Sequence, residues 1–393
     1  MSLSRREFMA SGTAAVAAWT TGPKARARAA RKYKACIIGD TKQGGYGHSV
    51  HLAFALRKDV AVVGLADPDE AGRAKYAAET RAERSYADYR EMLEKERPDL
   101  VAVGPRCTVH HRDYLIACAE AGAHGFLEKP LCVDLAEADE MTAAIESRNL
   151  KWAMAFNVRA MPIIQNAKKM IHEEHLLGTI LETHGRGKED RRAGGEDLIV
   201  LGTHIMDLMI FLLDGTPHAC SAEILCQGRP AAPSDVHEAT EALGPIVGDC
   251  IHARYAFDGA VAGHFDSMKN PDGNGGRFGL DIYGSRGVAA IRFAPEVQVL
   301  WLDAPAWVPS GKASWKPLPG APDAAPMESG PMRNQTIVDG LIAAIEEDRR
   351  PAVSLQDGRN ALEMIQAVWE SQIQGCRVAM PLAERAHPLT RWS

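Results

Sequence analysis

The chain has 393 residues, 46% of them hydrophobic and 24% charged, the composition of a globular protein long enough for two cores. With 51 acidic against 45 basic side chains it carries no cationic surplus to neutralise phosphates, which excludes a nucleic-acid partner. No apolar run approaches the ~20 residues of a membrane span.

The N-terminal stretch SRREFMASG sets Arg5 and Arg6 between Ser4 and Phe8, the twin-arginine pattern of bacterial export signals. A short apolar segment, MASGTAAVAAW, and the small-residue stretch ARARAA follow, so residues 1–30 read as a signal cleaved near Ala27 to Ala30. The expectation is a periplasmic or otherwise exported protein whose first partner is the twin-arginine translocase, a route that carries folded passengers, often with a cofactor bound.

From residue 31 to 150 the text alternates. KACIIG, VAVVGLADPD, DLVAVGP and HGFLEKP are short apolar runs separated by the amphipathic segments HSVHLAFALRK, EAGRAKYAAET, YADYREMLEKE and HRDYLIACAEAG. This β-α-β-α order predicts a doubly wound parallel sheet with helices on both faces, a Rossmann-type domain. The turn after the first run, GDTKQGGYGHS, is not GxGxxG, yet Gly39, Gly44, Gly45 and Gly47 allow positive φ and close approach to a pyrophosphate. A helix beginning near His48 is expected to aim its N-terminal dipole at the same group. Asp67 closes the second run about 20 residues beyond the last glycine, where a carboxylate accepts from a ribose diol and repels a 2′-phosphate. That favours NAD over NADP, with NADP still open; helix capping in ADPDEAG is the other reading of Asp67.

Residues 151–330 read as an α+β domain. ILETHGRG, CSAEILCQG, CIHARYAF, AVAGHFDSM, RFGLDIYGS, VAAIRF and VQVLWL, several of them alternating, predict a large, mostly antiparallel open sheet. The loop HGRGKEDRRAGGED is dense in charge; it reads either as a solvated loop or as a clamp for a polyhydroxylated or acidic substrate, with Arg186 and Lys188 the first candidates. Trp307 and Trp315 lie in a Pro/Gly-rich excursion, available to stack on a sugar or pack against a neighbour. NPDGNGGR reads as a flexible cover for a cleft, and residues 331–393 as C-terminal helices.

Four landmarks in order, Pro105 with PRCTVHHRDYLIACAEAG, then FLEKPL, LIVLGTHIMDLMIFLLDG and DGRNALEMIQAVWESQIQG, resemble the Gfo/Idh/MocA oxidoreductase family across the chain beyond the signal. The resemblance implies NAD(P)-dependent hydride transfer on a sugar, polyol or sugar derivative. It assigns Pro105, Glu128, Lys129 and Pro130 to the cofactor site, with Pro130 a cis-proline position, and it makes Lys129 a polarising or proton-relaying group. His204 becomes the general base, Asp207 a substrate contact, the closing helix a packing partner of the first domain, and the open sheet a homo-oligomer interface. One position departs: where such dehydrogenases carry Asp four residues before the histidine, this chain has Val200. Glu196 and Asp197 lie two turns away and cannot take over that position. The departure opens two alternatives, a redox-neutral NAD-dependent glycosidase or lyase, and a non-catalytic dinucleotide- or sugar-binding protein.

No local HxH or HxxxH pairing joins His184, His204, His264 and Asp207, so no metal site is expected. The eight cysteines form no CxxC, and Cys220 and Cys226 are ~20 Å apart on one extended segment, which predicts free thiols.

Overall fold

The apolar runs of the first half form β1 (Tyr33–Ile38), β2 (Val60–Ala66), β3 (Arg84–Tyr86), β4 (Leu100–Val103), β5 (His124–Leu127) and β6 (Trp152–Met154). All pair in parallel, in the order β3-β2-β1-β4-β5-β6. The helices between them are α1 (Leu52–Ala55), α2 (Glu70–Thr80), α3 (Tyr89–Glu96), α4 (His111–Glu120) and α5 (Leu135–Glu146). Asp69, Asp88 and Asp134 start α2, α3 and α5 by accepting from backbone N–H groups of the first turn. The chain leaves β1 for β2 on one side and crosses to β4 on the other, which opens a crevice at the C-terminal strand ends. β6 completes this sheet just beyond the expected boundary at 150. The computed structural model describes residues 33–272, 277–293, 296–320 and 330–393, without the side chains of 330 and 331; the twin-arginine stretch and the tip of NPDGNGGR lie outside them.

The helix expected from His48 is the one element of this half that shrinks. Residues 46–51 form turns, Ser49 has φ 63°, and α1 is a single turn. The reason is tertiary. Glu128 takes the His48 N–H at 2.9 Å and the Asn334 amide donates to the His48 carbonyl at 2.9 Å, so neither group is left for a helix.

The second half gives α6 (Pro162–His172), β7 (Ile180–Arg186), α7 (Gly195–Val200), α8 (Gly202–Leu213) and β8 (Ala219–Cys226). Three two-residue strands follow, β9 (Arg229–Pro230), β10 (His237–Glu238) and β11 (Pro245–Ile246). Then come β12 (Cys250–Ala256), β13 (Ala262–Met268), β14 (Gly279–Gly284), β15 (Gly287–Arg292), β16 (Gln298–Leu302) and β17 (Lys316–Pro317), and after them α9 (Gly330–Glu346), α10 (Leu355–Gln374) and β18 (Val378–Ala379). The large sheet runs β17-β16-β15-β14-β7-β13-β12-β8-β18 with β9 beside β8, antiparallel except for the β7–β13 pair. The α/β and α+β architecture expected from the sequence is the one the chain adopts. α8 lies so close to the inner face that a Cβ on Gly185 would sit 2.3 Å from Ile205. Among the described residues no helix is long and apolar enough to cross a membrane, and all eight cysteines are unpaired.

α10 ties the halves together. A Ser354–Asp357 capping box starts it and Gly375, at φ 61°, ends it. Gln366 donates to the Val133 carbonyl at 2.9 Å and Arg359 bonds Asp139 at 2.7 Å, so it packs on the first domain. Trp307 does not wait for a sugar: its indole N–H donates to the Gly284 carbonyl at 2.8 Å and its ring packs on Tyr283.

Beyond α10, His387 stacks on Trp369 with centroids 4.8 Å apart, and its Nδ1 accepts from the Leu389 N–H. Burial, with Arg391 nearby, lowers its pKa to about 4. The folded state therefore favours the neutral ring, and stability is lost as pH falls from about 6.5, where the unfolded chain takes the proton, to about 4, at roughly 1.4 kcal/mol per pH unit. The expected result is a thermal midpoint that falls less steeply over this window in His387→Asn than in the parent.

Candidate active site

Glu128, Lys129 and Pro130 follow β5 directly. Glu128 is fully buried, and its carboxylate accepts from the His48 N–H at 2.9 Å, from Nδ1 of the same ring at 3.1 Å and from the Lys129 N–H at 3.0 Å. Burial alone would raise its pKa; the His48 charge and hydrogen bonds, with Lys129, outweigh that and hold it at about 2. Glu128 thus fixes the turn at 46–51 rather than facing a ligand. Gly47 permits this: a Cβ there would lie 2.2 Å from the Glu128 carboxylate. The Lys129–Pro130 bond is cis. Pro105 lies beyond β4, where its carbonyl bonds the His111 ring at 2.7 Å.

Lys129 is 4% exposed, and its ammonium donates to the Val200 carbonyl at 3.2 Å. That carbonyl is available because the helix kinks between α7 and α8: the His204 N–H bonds the Leu201 carbonyl instead. Position 200 therefore still holds the lysine, through its backbone, while the Val200 side chain lines the wall. Burial lowers the Lys129 pKa against the pull of Glu128 and Glu241. His204 lies across the same cavity, partly buried, its Nδ1 enclosed without a hydrogen-bond partner and its ring edge-on to Phe156. Burial first, then the Lys129 charge, drives its pKa well below the ordinary value, so the imidazole stays neutral and keeps a lone pair.

The cavity has a volume of about 440 Å³ and lies between the two domains. Its mouth carries a ladder of charge. Arg106 bonds Glu241 at 3.6 Å, Glu241 bonds Arg192 at 3.2 Å, and Asp190 takes Arg192 at 2.7 Å and Lys188 at 3.3 Å. Phe278, Phe293 and Val297 form an apolar flank. Lys188 therefore reaches the cavity. Glu241, Arg106 and the phenylalanines carry no local signal; they converge only because the β10–β11 hairpin and the β14–β15 end fold over the crevice.

Two expected substrate contacts are corrected. Arg186 lies one residue on from Gly185, which faces α8, so strand alternation turns it to the outer face, where it pairs with Asp266 at 3.3 Å. Asp207 is 2% exposed and bonds Arg159 at 2.8 Å, with Asp357 on the same guanidinium at 3.1 Å. Asp197 likewise shapes the loop before α7, accepting from Ser267 and from the N–H groups of Lys188 and Glu189.

Among the described residues, Glu182, His184 and His264 are close enough to share an ion. The two imidazoles stack with centroids 4.5 Å apart and planes 17° apart. Nearly parallel rings cannot both aim an in-plane lone pair at one ion, and His204 and Asp207 lie apart from them, so the arrangement does not suit a metal.

The glycine loop is partly a cradle. Gly44, Gly45 and Gly47 have φ of 89°, 65° and 59°, and among the described residues the Gly44, Tyr46 and Gly47 N–H groups make no bond within the chain. These amides fit a pyrophosphate, and the cavity with Lys129 and His204 fits the nicotinamide end of a dinucleotide. The expected helix dipole is missing, since α1 is one turn. Asp67 is fully buried and its carboxylate is bonded by Tyr46, Thr41 and Asp69, all of this chain, while the cap of α2 is Asp69.

Residues 34–156 match the GFO_IDH_MocA oxidoreductase family with its NAD-binding Rossmann fold, and residues 173–380 match the family's C-terminal alpha/beta domain. The chain belongs to the Gfo/Idh/MocA oxidoreductase family. This member is 28% identical over 266 residues to a levoglucosan dehydrogenase of Pseudarthrobacter phenanthrenivorans, a match spanning 61% of this chain and 66% of the relative. It is 24% identical over 286 residues to the trans-1,2-dihydrobenzene-1,2-diol dehydrogenase of Sus scrofa, spanning 69% of this chain and 76% of that one. A levoglucosan dehydrogenase structure in complex with NADH and levoglucosan shares its fold, with a TM-score of 0.71, 22% identity, and coverage of 89% of this chain and all (100%) of that one.

Proposed function

We propose that this family member is an NAD-dependent dehydrogenase that oxidises a hydroxyl-bearing carbon of a sugar, polyol or sugar derivative. The observation that carries the reading is the convergence of Lys129 and His204 on one cavity at the C-terminal ends of the parallel strands. The names of its relatives, dehydrogenases of an anhydrosugar and of a diol, support the same class. Bound NAD would supply the hydride acceptor. The Gly44, Tyr46 and Gly47 amides would hold its pyrophosphate, and Lys129 and His48 lie at the cavity end for the nicotinamide. His204, neutral and with its lone pair unprotonated, takes the proton of the substrate hydroxyl as the hydride leaves the same carbon. Lys129 donates a hydrogen bond to that oxygen and stabilises the charge that develops on it. Phe278, Phe293 and Val297 exclude water from one flank, and Lys188 and Arg192 orient hydroxyl or acidic groups at the mouth.

Val200 supports a second reading. Without an aspartate at position 200, and with Asp207 paired to Arg159, proton release to solvent has no free carboxylate relay on this helix, which suits a redox-neutral enzyme that oxidises, eliminates, adds water and reduces within one turnover. The SRREF stretch supports export with the cofactor already loaded, and internal recycling follows for an enzyme with no nicotinamide pool outside. The outer sheet face is the proposed homo-oligomer contact.

The first experiment is the spectrum and mass of small molecules released on denaturing the purified protein, followed by turnover on a panel of sugars, anhydrosugars and polyols. Stoichiometric NAD(H) with turnover is expected. His204→Asn is expected to lower kcat by about 10²-fold or more with NAD binding retained. NAD(H) bound without turnover of any substrate would leave a binding protein.

A further inference from the structure

The crevice between the ends of β1 and β2 is where a doubly wound sheet receives the adenosine half of a dinucleotide. Here the chain fills it from within. The Tyr46 ring lies against Gly39, so close that a Cβ at that glycine would sit 2.2 Å from ring carbons. The ring stacks on Tyr76 of α2 at 3.8 Å, meets His51 edge-on at 5.2 Å, and is 4% exposed. Its hydroxyl donates to Asp67 Oδ2 at 2.8 Å, and the Thr41 hydroxyl donates to the same oxygen at 2.6 Å. The Thr41 and Asp69 N–H groups complete the shell at 3.2 and 2.9 Å. Two side-chain hydroxyls thus stand on the carboxylate that a ribose diol would otherwise engage.

We propose that Tyr46 is an internal occupant of the adenosine-ribose subsite, which NAD must displace to bind. The inference rests on the reading that the chain binds NAD. The loop is built to move as a piece. Asp40 closes it on itself, its carboxylate accepting from the Lys42 and Gln43 N–H groups at 3.0 Å each and its carbonyl from the Gly45 N–H at 2.7 Å. Those bonds survive a rigid swing. The bonds that hold the loop down are Tyr46 and the Thr41 hydroxyl and N–H on Asp67, Lys42 on Asp69 at 3.1 Å, the Cys107 thiol on Gln43 at 3.9 Å, the Val50 N–H on the Tyr46 carbonyl at 3.3 Å and the Arg106 N–H on the Gly44 carbonyl at 3.3 Å. Gly45 and Gly47, both at positive φ, flank Tyr46 and can absorb the change.

Displacement has a kinetic and an equilibrium signature. Only the fraction of molecules with Tyr46 withdrawn accepts cofactor, so the apparent dissociation constant rises by the inverse of that fraction. Tyr46→Phe keeps the ring and its stacking but removes the bond to the carboxylate, which favours withdrawal by about tenfold or more. Tyr46→Ala empties the subsite.

The test follows NADH fluorescence by stopped flow, and titrations, in the parent, Tyr46→Phe and Tyr46→Ala. The parent is expected to show an association rate that levels off at high NADH. Tyr46→Phe is expected to bind NADH about tenfold tighter or better, and Tyr46→Ala to associate faster with no plateau. The same order with ADP-ribose, which lacks nicotinamide, assigns the effect to this half of the site. Equal rates and affinities in all three proteins, or weaker binding by Tyr46→Phe, overturn the displacement while leaving the dehydrogenase reading intact. Failure of all three to bind NADH overturns the cofactor reading itself, and the displacement with it.

Discussion

Lys129→Met is expected to lower kcat by about 10²- to 10⁴-fold while leaving a folded protein that still binds NAD. The ammonium is nearly inaccessible, faces the cavity, and rests on the Val200 carbonyl at 3.2 Å, a neutral partner that it can leave for a substrate oxygen. Methionine keeps the length and the apolar packing of the side chain, so no large void forms, and it removes a charge whose burial is costly. Stability is therefore expected to hold or rise slightly, which separates a chemical defect from a folding one. Burial lowers the Lys129 pKa, so deprotonation on raising the pH should give the parent an alkaline limb in its rate profile below the ordinary lysine value. That limb is expected to vanish in the variant. Circular dichroism, NADH titration and the pH profile of kcat check the three parts. Turnover within tenfold of the parent would show that the lysine only packs.

Arg159→Met is expected to destabilise the fold by about 3–5 kcal/mol. The guanidinium lies between Asp207 at 2.8 Å and Asp357 at 3.1 Å, stacked on Phe211 at 4.6 Å. Burial and the neighbouring Asp357 raise the Asp207 pKa, against the pull of Arg159, to about 7. Without the cation two buried carboxylates face each other, and one must protonate or the helices must part. Asp357 also takes the Ser354 N–H at 2.7 Å in the cap of α10, so the damage spreads to the helix that joins the domains. For a chain of this size the loss corresponds to a fall of about 4–6 °C in the thermal midpoint. The defect should shrink as the pH is lowered, because protonating Asp207 relieves the uncompensated charge. Arg159→Met with Asp207→Leu should recover much of the loss, since removing both partners leaves no orphaned charge.

These two residues mark where the sequence is legible. Lys129 is placed by a strand end and a motif, both local features. The same holds for the parallel sheet, read from apolar runs at regular spacing, for α2, α3 and α5 with their Asp caps, and for His204 on its helix. Each follows from contacts within a few residues, which chain order preserves.

Arg159 carries no signal at all, because its meaning comes from two aspartates 48 and 198 positions away. Arg186 fails for a related reason: a strand shows its alternation but not which face meets the core, and Gly185 against α8 decides that. The helix expected from His48 gives way because Glu128 and Asn334, distant in sequence, claim its backbone groups. Asp67 sits where the pattern puts it, yet its carboxylate belongs to Tyr46 and Thr41, since the loop folds back into the crevice. The sequence by itself determined the family, the two domains and the proposed catalytic pair, because periodicity and short motifs record local geometry. Only the tertiary structure decided which charges face the cavity and what fills the adenosine crevice, because side-chain direction and competition for hydrogen bonds are settled by residues far apart in the chain.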